Sequence, residues 1–141
     1  MKKILIVNAN YYDDIAKKLV SSSKILLKKK KLSLSLINVP GVFEIPFIIK
    51  KNLKKFDAFI ALGCVIKGET PHFGFICKST FDAILNISIT YKKPVGNGII
   101  TALNLKQAKE RCGLIKTKKP NKGLESAKAV LSILKNGPKK I

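Results

Sequence analysis

Uninterrupted apolar blocks alternate along this chain with stretches in which apolar residues recur every three or four positions. Ile4 to Val7 is the first block, as expected of a strand buried on both faces of a parallel sheet. Asp13 and Asp14 then favour a helix start, and Ile15, Leu19, Ser22 and Leu26 share one helical face that ends in the run Lys28 to Lys31. Leu32 to Val39 alternates apolar and polar residues and predicts a second strand at a sheet edge. Pro40-Gly41 turns the chain into a helix from about Phe43 to Lys54, where Pro46 is tolerated because the first turn has no intrahelical N–H partners to lose. Asp57 to Gly63 and Pro94 to Thr101 are two further strands. Between them a helix carries Ile76, Thr80, Ala83, Ile84 and Ile87 on one face. Asn104 with Gln107 resembles a capping box, and Gly113 suits the residue that closes that helix. Leu124, Ala127, Leu131 and Leu134 define a last helix, stopped by Gly137-Pro138. Alternating strands and helices mean an α/β fold around a parallel sheet, expected as one domain over residues 1–141. Ligands of such sheets bind at the carboxyl ends of the strands, so function is expected in the loops at 8–12, 40–44, 64–72 and 97–104.

Composition narrows the partners. The 141 residues suit one core, and no run of about 18 uncharged apolar residues or secretory leader predicts a membrane or export role. Cys64, Cys77 and Cys112 form no C-x-x-C pair, which favours a reducing cytoplasm over disulfides or zinc. The formal charge of +20 invites a nucleic-acid reading. Every basic residue except Arg111 is lysine, however, whereas base and phosphate readers favour the planar guanidinium. The lysines fall mostly on expected exposed faces and turns, so no nucleic-acid partner is expected and an RNA-binding module stays a rival reading. In a chain that tolerates lysine almost everywhere, Arg111 marks a place where lysine does not suffice, such as a bidentate anchor for phosphate or carboxylate.

Phosphate-loop, dinucleotide-loop and nucleophile-elbow signatures are missing, and one histidine with scattered carboxylates makes a metal centre improbable. His72 is the one side chain whose ordinary titration range lies near neutrality, and it stands at a carboxyl-end loop where a helix begins, as a proton-transfer group should. Free backbone N–H groups at Gly68-Glu69-Thr70 can bind an anion, or Thr70 can simply cap the helix. Glu44 can accept hydrogen bonds from a polyol, and Phe43 can equally be a core aromatic. Tyr11 and Tyr12 can stack on a flat ring or cover the core.

Taken together and in order, these segments resemble the 6,7-dimethyl-8-ribityllumazine synthase family. The resemblance is carried by Val39-Pro40-Gly41-Val42-Phe43-Glu44-Ile45-Pro46 and by the run Ala61 to Phe73, which contains Lys67-Gly68-Glu69-Thr70-Pro71-His72. Asn97-Gly98-Ile99-Ile100-Thr101, Gln107 to Arg111 and Asn121-Lys122-Gly123-Leu124-Glu125-Ser126-Ala127 add to it. It implies a flavodoxin-like three-layer αβα sandwich with a four-stranded parallel sheet, assembled as a homopentamer or a larger shell of pentamers. It implies condensation of 5-amino-6-(D-ribitylamino)uracil with 3,4-dihydroxy-2-butanone 4-phosphate, releasing phosphate and water, with no cofactor. Carried over by position, Tyr11 would stack on the pyrimidine, and Val42, Phe43 and Glu44 would line the ring and ribityl site above Cys64, Val65 and Ile66. Glu69 and Thr70 would meet the phosphate, and Arg111 would clamp it. Asn97 and Arg111 would come from the neighbouring subunit, Lys122 would be a positive residue near the same pocket, and His72 would shuttle protons. The chain departs from the family at Asn10-Tyr11, where many members have Arg-Phe, at Asn97, often aromatic, and in a longer loop from Leu114 to Pro120. A related pentameric ligand carrier, or the archaeal-type riboflavin synthase that resembles this family, is the second rival.

Overall fold

A computed structural model describes residues 1–141. Four strands, β1 (Lys2–Ala9), β2 (Leu32–Val39), β3 (Ala58–Ile66) and β4 (Val95–Ala102), alternate with the helices α1 (Asp13–Leu27), α2 (Ile45–Lys51), α3 (His72–Tyr91), α4 (Leu105–Cys112) and α5 (Lys122–Lys135). All strand pairs are parallel, in the order β2-β1-β3-β4. Register aligns Ile37, Val7, Ala61 and Asn97 across the sheet.

The two-residue period of a strand sends alternate side chains to opposite faces. Ile4, Ile6, Ile60, Leu62 and Ile100 therefore join Ile15 and Leu19 of α1, Ala108 and Cys112 of α4, and Ala127 and Val130 of α5 in one core. Leu5, Val7, Phe59, Ala61 and Ile99 join Ile45 and Ile49 of α2 and Ile84 of α3 in the other. Both faces of the sheet are thus covered, which makes the chain a flavodoxin-like αβα sandwich. It also explains why β1 and β3 read as continuous apolar runs. Each fully buried Leu or Ile in these cores is worth about 1.5–3 kcal/mol.

Two glycines have steric reasons. Gly96 lets α5 lie against β4, because a Cβ there would strike the Ser126 carbonyl. Gly113 ends α4 at φ 88°, in the left-handed region that disfavours other residues. The Asn104 side chain accepts from the Gln107 N–H at 2.9 Å, as the capping pattern predicts. In return Gln107 Oε1 accepts from the Leu103 N–H at 2.8 Å, one residue earlier than a capping box requires.

Several expected boundaries move. The first helix stops at Leu27, leaving Lys28 to Lys31 beyond it. The helix expected over Phe43 to Lys54 is split into a 3-10 turn, Val42–Glu44, and α2, which ends where the Asn52 amide donates to the Ile48 carbonyl at 2.8 Å. The third strand continues past Gly63 to Ile66, because Gly63 to Ile66 pair with Ile99 to Ala102. No helix is long and apolar enough to cross a membrane.

Candidate active site

Three strand ends and one helix start meet at a groove of about 520 Å³. The segment after β1 supplies Tyr11 and Tyr12, the 3-10 turn supplies Val42, Phe43 and Glu44, the end of β3 supplies Cys64, Val65 and Ile66, and α3 supplies His72 and Ile76. The long parallel strands place these groups: β1 and β3 are neighbours, so their carboxyl ends open side by side.

The alternatives left open by the sequence separate here. Tyr12 packs against the core on the α1 side, and burial raises its phenol above the usual range. Tyr11 stands 76% exposed, edge-on to Tyr12 with ring centroids 5.0 Å apart, and so presents a free aromatic face. Phe43 is not a core aromatic, since 64% of it is exposed in the groove wall. Cys64 forms part of the buried floor. Burial, then the nearby Cys112 and Cys77, push its thiol up to about 12, so it is neutral at working pH and supplies no thiolate nucleophile.

His72 is the first residue of α3, exposed at the mouth of the groove. Thr70 does not cap the helix. The capping position is Pro71, and no side chain bonds there, which leaves the first-turn N–H groups without side-chain partners. Glu69 and Thr70 are exposed in the loop just before it and lie outside the groove lining. Sequence reasoning missed Ile76 as a wall residue. Its spacing of four from His72 puts both on one helical face, a signal that the core-facing reading of that stripe concealed.

Three expected site residues lie elsewhere. Asn97 sits half-buried on the edge strand β4, where its Oδ1 accepts from the Ile99 N–H at 3.1 Å. Arg111, on α4, is shared by two small pockets. One, of about 190 Å³, is lined by Thr101, Gln107, Glu110 and Lys119, and the other, of about 270 Å³, by Ile100, Pro120, Lys122 and Glu125. No residue of either pocket lines the His72 groove. The chain thus carries an aromatic groove with a histidine in one place and a guanidinium flanked by lysines in another. A further polar pocket, of about 400 Å³ between α1 and β2, is lined by Asn8, Asn10 and Asn38 among others and contains no expected site residue.

A flavodoxin-like sheet with a ligand-sized groove at its carboxyl edge, a free aromatic ring, a carboxylate and a solvent-facing histidine defines an α/β enzyme site for a flat polar molecule. The family model for 6,7-dimethyl-8-ribityllumazine synthase matches residues 1–136. A Campylobacter jejuni (strain RM1221) protein named 6,7-dimethyl-8-ribityllumazine synthase is 40% identical over 137 residues, covering 94% of this chain and 87% of the relative. Proteins of the same name from Campylobacter curvus and Campylobacter fetus are 39% and 38% identical, each over 94% of this chain and 86% of the relative. The chain belongs to the 6,7-dimethyl-8-ribityllumazine synthase family and is a transferase of riboflavin biosynthesis.

Proposed function

We propose that this chain, as one domain, condenses 5-amino-6-(D-ribitylamino)uracil with 3,4-dihydroxy-2-butanone 4-phosphate in a site completed by a second copy of itself. The observation that carries the reading is the division of the site residues: the His72 groove holds the ring-binding and proton-transfer groups, while Arg111, Lys122 and Asn97 lie apart from it. In the groove Tyr11 stacks on the pyrimidine, Phe43 and Val42 wall it, and Glu44 accepts from the ribityl hydroxyls over Cys64, Val65 and Ile66. The loop at Glu69 and Thr70, with the unbonded first-turn N–H groups of α3, faces the butanone phosphate, and Arg111 of the adjoining copy clamps that phosphate beside Lys122.

The chemistry asks little else of the protein. The substrate amine attacks the ketone, so no enzyme nucleophile is required, in keeping with the neutral Cys64 thiol. Loss of water, elimination of phosphate and closure of the ring are proton transfers, for which His72 is the group at hand. One well-placed acid–base residue is worth about 10²- to 10⁴-fold. Holding two reactants in register supplies much of the rest.

The surface supports a ring of subunits. Helix α3 is 20 residues long yet buries only Thr80 and Ile84, leaving Phe75 71%, Leu85 60% and Ile89 68% exposed beside the exposed Phe47 of α2. Apolar patches of this kind mark protein interfaces. Because the patch and the Arg111 edge are different surfaces, joining them is a head-to-tail contact, the kind that builds a ring when the rotation between copies closes. The proposed assembly is a homopentamer, alone or within a larger shell, and the three free cysteines suit a cytoplasmic compartment. The test is to mix purified protein with the two substrates and follow lumazine absorbance above the spontaneous reaction, with sedimentation on the same sample. Enzyme-dependent formation by a pentamer is the expected result. A folded pentamer with no rate would end the proposal and favour a ligand carrier.

A further inference from the structure

Arg111 carries no ion pair, although two carboxylates line its pockets. All four ion pairs of the chain are made by lysines. Glu110, its neighbour on α4, has a side chain only 10% exposed and is bound by the Lys119 ammonium at 3.0 Å. Glu125, on the other side, is bound by Lys122 at 3.6 Å. A guanidinium is the best partner a carboxylate can find, through two parallel N–H···O bonds. A free Glu110 carboxylate in the pocket wall would therefore compete with any incoming anion for Arg111 and repel it as well.

We propose that Lys119 is a positioning residue of the anion subsite: its ammonium occupies Glu110 and so leaves the Arg111 guanidinium open to the phosphate of the substrate. The inference rests on the reading of Arg111 as the phosphate clamp and adds a function for one lysine of the 114–120 loop. The 3.0 Å contact puts the ammonium directly on the carboxylate, and the hydrogen bond from Lys119 holds the Glu110 carboxyl below the usual range. Lys119 itself comes from an exposed loop, so its replacement leaves both cores untouched.

The experiment measures KM for the butanone phosphate and inhibition by inorganic phosphate in the assembled enzyme. Lys119→Met is expected to raise both constants by about 10-fold, with KM for the ribitylaminouracil little changed, and Lys119→Arg is expected to retain wild-type values. Adding Glu110→Gln to Lys119→Met removes the competitor and is expected to bring both constants back to within about 3-fold of wild type. A merely structural ion pair predicts no such rescue, because the double variant still lacks it. Unchanged constants in Lys119→Met, with Arg111→Met raising both, would overturn the proposal and leave the clamp standing. Arg111→Met without effect would instead remove the clamp reading on which the proposal rests. A double variant as impaired as Lys119→Met would mean that Lys119 acts on the anion directly or through structure alone, and would end its role as a counter-ion. Phosphate protection against thermal unfolding gives the same comparison for any variant with turnover too low to measure.

Discussion

His72 and Cys64 line one groove and have opposite characters. His72 is exposed at the start of α3, where the proposed reaction would use it for proton transfer, whereas the Cys64 thiol, pushed up to about 12 by burial, is chemically quiet. His72→Ala is expected to lower kcat by about 10²- to 10⁴-fold with the assembly intact, because an exposed first-turn residue contributes little to either core. Wild-type turnover in that variant would end the proton-shuttle role. For Cys64 the expectation concerns reactivity, since the thiolate is the form that reacts. Iodoacetamide at pH 8 should leave Cys64 unmodified in the folded protein, and rapid alkylation there, located by mass spectrometry, would contradict a buried neutral thiol. Tyr11 and Tyr12 show why residue roles were only partly legible. The two are adjacent and alike in sequence and both line the groove, and only the fold decides that Tyr12 also packs on the core while Tyr11 keeps a free face.

The elements follow the hydrophobic pattern closely because both sheet faces are covered, which makes β1 and β3 continuous apolar runs and gives α1 and α5 clear stripes. The boundaries that moved are those set by pairing or side-chain bonds: β3 runs on to Ile66 because β4 offers it partners, and α2 is stopped by the Asn52 amide. Neither signal has a hydrophobic period. The loop between α4 and α5 was the least legible segment, since nine residues with three lysines look like solvated surface until Lys119 is seen on Glu110. That tie has a pH signature. Because Lys119 holds the Glu110 carboxyl below its ordinary 4.5, the ionised form stabilises the folded chain above about pH 4.5, and the contribution is lost as pH falls through the folded value. Glu110→Gln should therefore lower the melting temperature at pH 7, and the gap to wild type should narrow as the pH is taken down through and below the ordinary carboxylate range. A gap that stayed constant across this range of thermal scans would show that Glu110 acts through packing alone.

At the scale of the molecule, the chain looks incomplete by itself. One surface offers an apolar helix face, another offers a guanidinium that makes no ion pair, and the groove between strand ends has a histidine but no arginine. The proposed division of the site between copies was legible only through the family resemblance, which puts Asn97 and Arg111 on a neighbouring subunit, because division is a property of surfaces that no hydrophobic period encodes. Sharing has a consequence that independent sites do not have. A ring of His72→Ala subunits lacks the proton-transfer group everywhere, and a ring of Arg111→Met subunits lacks the clamp everywhere, so each is expected to be nearly inactive. In rings assembled from equal amounts of the two, a site is whole when an Arg111→Met subunit supplies His72 and an adjoining His72→Ala subunit supplies Arg111. Random mixing makes about a quarter of the sites whole. Co-expressing the two variants with different affinity tags, isolating mixed rings through both tags and following lumazine formation should recover roughly that fraction of wild-type kcat. If the mixed rings stay as inactive as their parents, each site is contained in one chain and the composite site is wrong, however well the separate variants behave.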